Sequence, residues 1–152
     1  SIWIGTDGEG INRFDQKTSK FTHYRTTFKT KAVSIADYSD DELVVSVYGD
    51  NVYRFDKKSG EIRPVLIRNK DVRYQIRHSG RSLNLYNEAD GDLLLFSNSI
   101  YRYDKATGTC SPISVNFKRK DRSNYLVIAG TDTGVWLHDN FNIFFLKAVN
   151  GL

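Results

Sequence analysis

The densest group of side chains that could bind a ligand lies between residues 68 and 81. Its members are Arg68, Lys70, Arg73, Tyr74, Arg77, His78 and Arg81. Guanidinium groups form paired hydrogen bonds with carboxylate or sulfate, and an aromatic ring can stack on the face of a sugar. Apolar or aromatic residues at 72, 74 and 76 alternate with polar ones, as in a strand with one basic face. Two interpretations stay open: Arg73, Tyr74, Arg77 and His78 bind an acidic sugar, or the segment is a solvated loop.

Two further groups have the composition of a ligand site but not its spacing. Residues 5–10, Gly-Thr-Asp-Gly-Glu-Gly, are rich in glycine like a phosphate-binding loop, but neither a Lys-Ser/Thr pair nor a helical pattern follows them. The carboxylates of Asp37, Asp40, Asp41 and Asp50 match no calcium-loop spacing. Turn chemistry accounts for both groups, because Gly and Asp favour the backbone conformations of tight turns.

The three histidines, His23, His78 and His138, are far apart, and none has a second ligand at metal-binding spacing. No Ser-His-Asp set and no pair of carboxylates recurs at the ends of the predicted strands in a way that indicates catalysis. The sequence therefore predicts no catalytic residue, no metal ligand and no cofactor.

Composition narrows the classes of function further. The net charge is +4, and the sequence pI is about 9.1. The Lys and Arg residues are mostly scattered, whereas a nucleic-acid binder concentrates them in a stripe, so no direct nucleic-acid contact is predicted. A second basic group, Lys118, Arg119, Lys120 and Arg122, is interpreted as a charged turn. No apolar run approaches the roughly 18 residues that span a bilayer, and the single Cys110 excludes an internal disulfide.

One phrase recurs along the chain and indicates which elements must position these residues. Residues 2–15 read IWIGTDGEGINRFD, residues 43–56 read LVVSVYGDNVYRFD, residues 126–139 read LVIAGTDTGVWLHD, and residues 93–104 give the shorter LLLFSNSIYRYD. The copies begin 41, 50 and 33 residues apart. Four short strands in roughly 40–45 residues is the period of a propeller blade.

The sequence therefore predicts an all-β fold, a β-propeller fragment of about four blades at approximately 1–27, 32–67, 82–114 and 115–148. Short runs bounded by Gly, Asp, Asn and Ser recur, and no helical periodicity is sustained. Runs of consecutive apolar residues predict strands buried on both faces. Around residues 105–122 two assignments stay open: the third blade lacks its outer strand, or the fourth lacks its inner one.

The first copy closely resembles the two-component regulator propeller repeat. The matching residues are Trp3, Ile4, Gly5, Thr6, Gly8, Gly10, Ile11, Phe14, Asp15, Phe21 and Tyr24. The later copies match more loosely, through 53–56, 101–104, 129–131, Gly134, Val135 and Asp139. The resemblance implies seven blades in each ring and a place in the periplasmic sensor region of a Bacteroidetes hybrid two-component system, in which a transmembrane helix leads to a histidine kinase.

The function that the resemblance implies is non-catalytic sensing of glycan oligosaccharides, which switches on polysaccharide-utilisation genes. The alternatives are blades that only build the ring or contact other proteins, and, less favoured, a propeller enzyme that acts on polysaccharide. The chain would then contact a membrane only through its parent protein. Because it begins within a strand pattern, we expect a segment of a longer protein. An open arc would leave apolar faces around Trp3 and Trp136, which predicts self-association through blade faces or edges.

Overall fold

The computed structural model describes residues 1–8, 10–28, 31–78, 83–88, 91–97, 99–114, 126–131, 133–138 and 142–147. These residues form four antiparallel sheets and one helix, in agreement with the predicted all-β class. In each sheet the strands follow one another in chain order, so every hydrogen-bonded pair is joined by a short local connection. This meander is the arrangement of strands within a propeller blade.

The sheets have three or four described strands each. The first contains β1 (Ile2–Gly5), β2 (Ile11–Asp15) and β3 (Lys20–Tyr24). The second contains β4 (Ala32–Asp37), β5 (Glu42–Val47), β6 (Val52–Asp56) and β7 (Ile62–Pro64), and the helix α1 (Lys70–His78) follows it. The third contains β8 (Asn84–Asn87), β9 (Leu93–Phe96), β10 (Ile100–Asp104) and β11 (Thr109–Ile113). The fourth contains β12 (Leu126–Thr131), β13 (Gly134–His138) and β14 (Ile143–Lys147).

Strand register confirms that the four sequence copies are equivalent. The opening apolar residue of each copy pairs with the aromatic position that precedes the aspartate. These pairs are Ile2 with Phe14, Leu43 with Phe55, Leu93 with Tyr103, and Leu126 with His138. His138 therefore occupies the predicted aromatic position, where it is half-buried.

The aspartate that ends three of the copies forms the turn into the next strand. One carboxylate oxygen of Asp15, Asp56 or Asp104 accepts hydrogen bonds from the backbone N–H groups two and three residues further on. These backbone hydrogen bonds hold the pKa of all three carboxyls below its usual value. The repeated aspartate is thus explained by local turn chemistry. Asp139, the fourth copy's aspartate, lies outside the described residues.

Neighbouring sheets contact each other in chain order and form an arc. β1 contacts β4, β4 contacts β8, and β8 contacts β12. Hydrogen bonds join the sheets at these contacts: the Ala32 N–H donates to the Thr6 carbonyl over 3.2 Å, and the Leu85 N–H donates to Ser34 Oγ over 3.1 Å. In the second and third sheets the strands at these contacts, β4 and β8, come first, as innermost strands do in a propeller.

Central strands are buried on both faces, as their continuous apolar runs predict. In β5, Leu43 and Val45 pack towards the first sheet while Val44 packs towards the third. In β9, Leu93 and Leu95 face the second sheet, whereas Leu94 and Phe96 belong to a cluster shared with the fourth sheet. Successive side chains of a strand point to opposite faces, so both faces must be apolar where a sheet has a neighbour on each side.

The strand predicted across residues 72–77 is wrong, because this segment is the helix α1. Val72 and Ile76, four residues apart, lie on one helical face and are buried in the cluster between the second and third sheets. Asp71 lies in the first turn and Arg77 and His78 in the last, which suits the helix dipole. The helix thus adds a layer to the core between two blades. Arg81 lies outside the described residues.

The two alternatives for residues 105–122 are partly resolved. β11 pairs with β10, so the third sheet does have its outer strand. The first strand described in the fourth sheet is β12, which is equivalent to β1, β5 and β9 by register. The basic group Lys118, Arg119, Lys120 and Arg122 lies outside the described residues. The outer strand of the second sheet is the short β7.

At one end of the arc, the exposed apolar residues are the neighbours of Trp3 rather than Trp3 itself. Trp3 is half-buried and packs against Phe55 of the second sheet, with ring centroids 5.5 Å apart. Because side chains alternate along a strand, its neighbours Ile2 and Ile4 point the other way and are 46% and 40% exposed. At the opposite end, Trp136 is 42% exposed, as predicted.

Candidate ligand-binding site

The four residues predicted to bind a ligand lie on α1 but do not share one role. The Arg73 guanidinium donates a hydrogen bond from Nη1 to the Ile67 carbonyl over 2.7 Å, so it fixes the chain that leads into the helix. Tyr74 is 65% exposed, and its ring stacks on His78 with centroids 4.2 Å apart and an interplanar angle of 15°. Arg77 is exposed. The helix therefore brings together Tyr74 and His78, and it gives Arg73 a structural contact.

Arg77 lies near a polar pair on the second sheet. The Tyr53 hydroxyl donates to Asp50 Oδ2 over 2.7 Å. Burial, and then this hydrogen bond and the charge of Asp50, raise the pKa of Tyr53 to about 12, while the charge of Arg77 acts in the opposite direction. Tyr53 is therefore a neutral donor at physiological pH, and its hydroxyl is already engaged by Asp50.

A second candidate lies between the second and third sheets, at the end where their strands turn. We call it the interblade cleft. Its volume is about 370 Å³, which falls in the range of small-molecule sites, and its lining comes from four turns. The lining residues are Asp37, Tyr38, Ser39, Asp40, Lys57, Asn87, Gly91 and Lys105.

Two lysines at equivalent positions, each directly after a turn aspartate, hold the walls of the cleft. Lys57 Nζ donates to Asp37 Oδ1 over 2.7 Å and to the carbonyls of Ser39 and Asp40 over 3.1 and 3.0 Å. Lys105 Nζ donates across the junction, to the Tyr38 carbonyl of the second sheet over 2.9 Å, and within its own sheet contacts Asn87 Oδ1 over 3.4 Å. Lys57 thus shapes one wall, and Lys105 ties the two sheets together.

The Tyr38 ring has a cation over it from each of two sheets. The guanidinium carbon of Arg54 lies 4.4 Å from the ring centroid and Lys105 Nζ lies 5.0 Å from it. Cation–π attraction of this kind contributes about 0.5–1 kcal/mol at an exposed site. The ring is thus part of the scaffold of the cleft rather than an open platform for a ligand.

The buried carboxylate of Glu42 holds Arg54 in place. Glu42 accepts hydrogen bonds from both Arg54 and Arg63, and its side chain is 9% exposed. Burial alone raises the pKa of Glu42, but the hydrogen bonds and charges of the two arginines outweigh it, so the pKa lies below its usual value. The carboxylate therefore stays ionised and orients both guanidinium groups.

Metal-binding clusters and the single thiol can be assessed for the described residues. Among them no group of three or more His, Cys, Asp or Glu side chains could hold a metal ion. The Cys110 thiol is buried, and burial raises its pKa to about 11, so it is a poor nucleophile at neutral pH. A smaller recess of about 200 Å³ is lined by Gly8, His23, Arg25 and Thr26. Within the described part of the chain, no helix is long and apolar enough to span a bilayer.

The arc has the same fold as parts of two solved structures from B. thetaiotaomicron. Both are extracellular domains of proteins described as hybrid two-component systems. The BT4673 domain matches 95% of this chain with a TM-score of 0.67 and 16% identity. The BT3049 domain matches 98% of it with a TM-score of 0.56 and 17% identity. The chain spans about a fifth of the length of each, 19% and 20%. At these identities the likeness shows the fold alone.

No family model matches the chain, and no curated protein sequence matches it.

Proposed function

We propose that this chain is a non-catalytic ligand-sensing segment of a membrane two-component signalling protein, and that it lies in the periplasm. The observation that carries the proposal is the fold, an arc of meander blades of the kind found in the extracellular domains of two hybrid two-component systems.

We further propose that the ligand is a glycan oligosaccharide and that the response is the regulation of polysaccharide-utilisation genes. The structure supports a carbohydrate through its exposed polar and aromatic groups, the Tyr74–His78 stack with Arg77 beside it, and a polar cleft of suitable size. A sensor has to bind its ligand more tightly in one of two states. Lys105, which joins two blades, is a contact whose rearrangement could differ between such states.

The test is glycan-array binding by the intact sensor region that contains these residues, followed by chromatography of the bound glycan after incubation. We expect retention of one glycan class with no change in its chain length. Shortened or unsaturated products would show an enzyme instead. If no glycan is retained, the structural alternative holds, in which these blades build the ring and all ligand contacts lie elsewhere.

The acidic-ligand proposal for α1 needs a narrower experiment. Arg73 is unsuitable for it, because replacing it also removes the contact with Ile67. Arg77→Ala removes an exposed cation, and Lys17→Ala removes an exposed cation from a turn of the first sheet as a control. We expect Arg77→Ala to weaken the binding of an acidic oligosaccharide several-fold, and Lys17→Ala to leave it nearly unchanged. Equal affinities in the wild type and both variants would leave α1 as a packing element only.

A further inference from the structure

The interblade cleft contains more hydrogen-bond acceptors than donors. Each carboxylate, Asp37 and Asp40, can accept up to about four hydrogen bonds, and the Asn87 amide can both accept and donate. The Asp37 side chain is 69% exposed, and only its Oδ1 is engaged by Lys57 in the contacts described above. The three N–H donors of Lys57 all have acceptors within the wall. A ligand that fits this surface therefore brings O–H donors.

Charge disfavours the two ionic classes of ligand. Among the described residues, the lining has two carboxylates, Asp37 and Asp40, and two ammonium groups, Lys57 and Lys105, so their formal charges balance. An anion would meet the two carboxylates without a spare cation, since Lys57 is saturated and Lys105 already contacts Tyr38 and Asn87. A cation would lie close to two ammonium groups. An uncharged ligand avoids both penalties.

The cleft is built in advance. The walls are fixed by hydrogen bonds within and between sheets, so a ligand does not have to order them on binding. Preorganisation of this kind favours affinity because less conformational freedom is lost.

We propose that the interblade cleft binds one neutral, hydroxyl-rich sugar unit through Asp37, Asp40 and Asn87. The biological role of such a ligand rests on the sensing function proposed above. The position of the site and the charge of the ligand are inferred from the cleft itself. Two cations, Arg54 and Lys105, already lie over the Tyr38 ring, so recognition depends on hydrogen bonds rather than on ring stacking. For a single hexose we expect a dissociation constant of about 1–10 mM, because ligand atoms contribute little each without stacking.

Saturation-transfer difference NMR tests the proposal, since it detects weak ligands and tolerates large assemblies. The probes are glucose, galactose, mannose and xylose, together with the charged analogues glucuronate and glucosamine. We expect signal from at least one neutral sugar and at least threefold weaker binding of its charged analogues. Asp37→Asn and Asp40→Asn should each reduce the signal at least threefold. Asp41→Asn is the matched control, because it changes a neighbouring carboxylate outside the lining.

Each outcome decides the proposal. Absence of signal from all four neutral sugars at 10 mM overturns it, as does a signal that survives both cleft variants or is stronger for glucuronate. Thermal melts of the variants show whether a loss of signal reflects unfolding. If it does, Asp40→Glu replaces them, because it keeps the charge but lengthens the side chain. If both cleft variants retain glycans on the array as well as the wild type does, the sensing function stands and the cleft is not its binding site.

Discussion

Replacing Ser19 with glycine should stabilise the protein. Ser19 is an exposed residue with φ of 55°, in the left-handed region where a side chain is strained. It stands four residues after the turn aspartate Asp15. The residues four after the other two turn aspartates are Gly60 and Gly108, with φ of 77° and 71°. Two of the three turns thus have the residue that this conformation favours, and the first does not.

The magnitude follows from two opposing effects. A non-glycine residue in the left-handed region costs about 1–2 kcal/mol, while glycine loses about 0.5–1 kcal/mol more conformational entropy on folding. We expect Ser19→Gly to raise the free energy of unfolding by about 0.5–1 kcal/mol. For a chain of this length that corresponds to a rise in Tm of about 1–4 °C. Urea unfolding followed by circular dichroism measures the change, with an unchanged m value as a check.

The reverse substitution at an equivalent turn is the control. In Gly60→Ser the new Cβ would lie 2.7 Å from Tyr24 Cδ1, and in Gly108→Ser it would lie 2.8 Å from the Leu66 carbonyl oxygen. Both variants should lose stability, Gly108→Ser more, because a backbone oxygen cannot move aside as a ring can. A stability loss in Ser19→Gly, or a gain in either reverse variant, would refute the equivalence of the three turns.

Three further expectations concern the core, an ion pair and assembly. Ile76→Ala should lower the free energy of unfolding by about 2–4 kcal/mol because it opens a cavity. Tyr74→Ala, on the exposed side of α1, should lower it by less than about 1 kcal/mol. Equal effects in denaturant titrations would contradict the orientation of the helix. The ionised Glu42 stabilises the fold above its unfolded pKa of about 4.3, and this stabilisation is lost as the pH falls through the lower pKa of the folded state. Glu42→Gln should therefore make the free energy of unfolding less dependent on pH in acid. Parallel pH curves for the two proteins would show that the Glu42 ion pair does not cause the loss of stability in acid. The exposed apolar end faces should cause self-association at tens of micromolar, measured by light scattering, and a stable monomer of 17.4 kDa would count against it.

The sequence was sufficient for the architecture because the repeats encode strand register. The distance of 41 residues between Ile2 and Leu43 recurs between Phe14 and Phe55, and the structure pairs Ile2 with Phe14 and Leu43 with Phe55. Consecutive apolar residues in β9 likewise indicated burial on both faces before any contact was known. The repeat distance and the apolar runs both reflect the alternation of side chains along a strand, and tertiary contacts do not change that alternation.

The helix was missed because its short apolar pattern fits two periods. Val72, Tyr74 and Ile76 alternate as strand residues do, yet Val72 and Ile76 alone also fit a helix face. The exposure of Tyr74 decides between them, and exposure depends on the neighbouring blades. A signal was available in the charges: Asp71 lies at the start of the helix, and Arg77 and His78 lie at its end.

The interblade cleft could not be predicted from spacing along the chain. Its residues come from turns as far apart as Asp37 and Lys105, and each turn alone is ordinary polar sequence. The packing of two sheets brings them together. The one sequence signal was the recurrence of lysine directly after the turn aspartate at positions 57 and 105, which becomes meaningful only once these turns lie at the same end of adjacent sheets.

The central claim is that the four sequence copies form adjacent blades of one arc, and cross-strand and inter-sheet NOEs test it most directly. We expect cross-strand NOEs at the equivalent pairs Ile2–Phe14, Leu43–Phe55, Leu93–Tyr103 and Leu126–His138. Between sheets we expect NOEs from Thr6 to Ala32 and from Ser34 to Leu85. A register shifted in any one copy, or cross-strand NOEs without the inter-sheet ones, would contradict the arc.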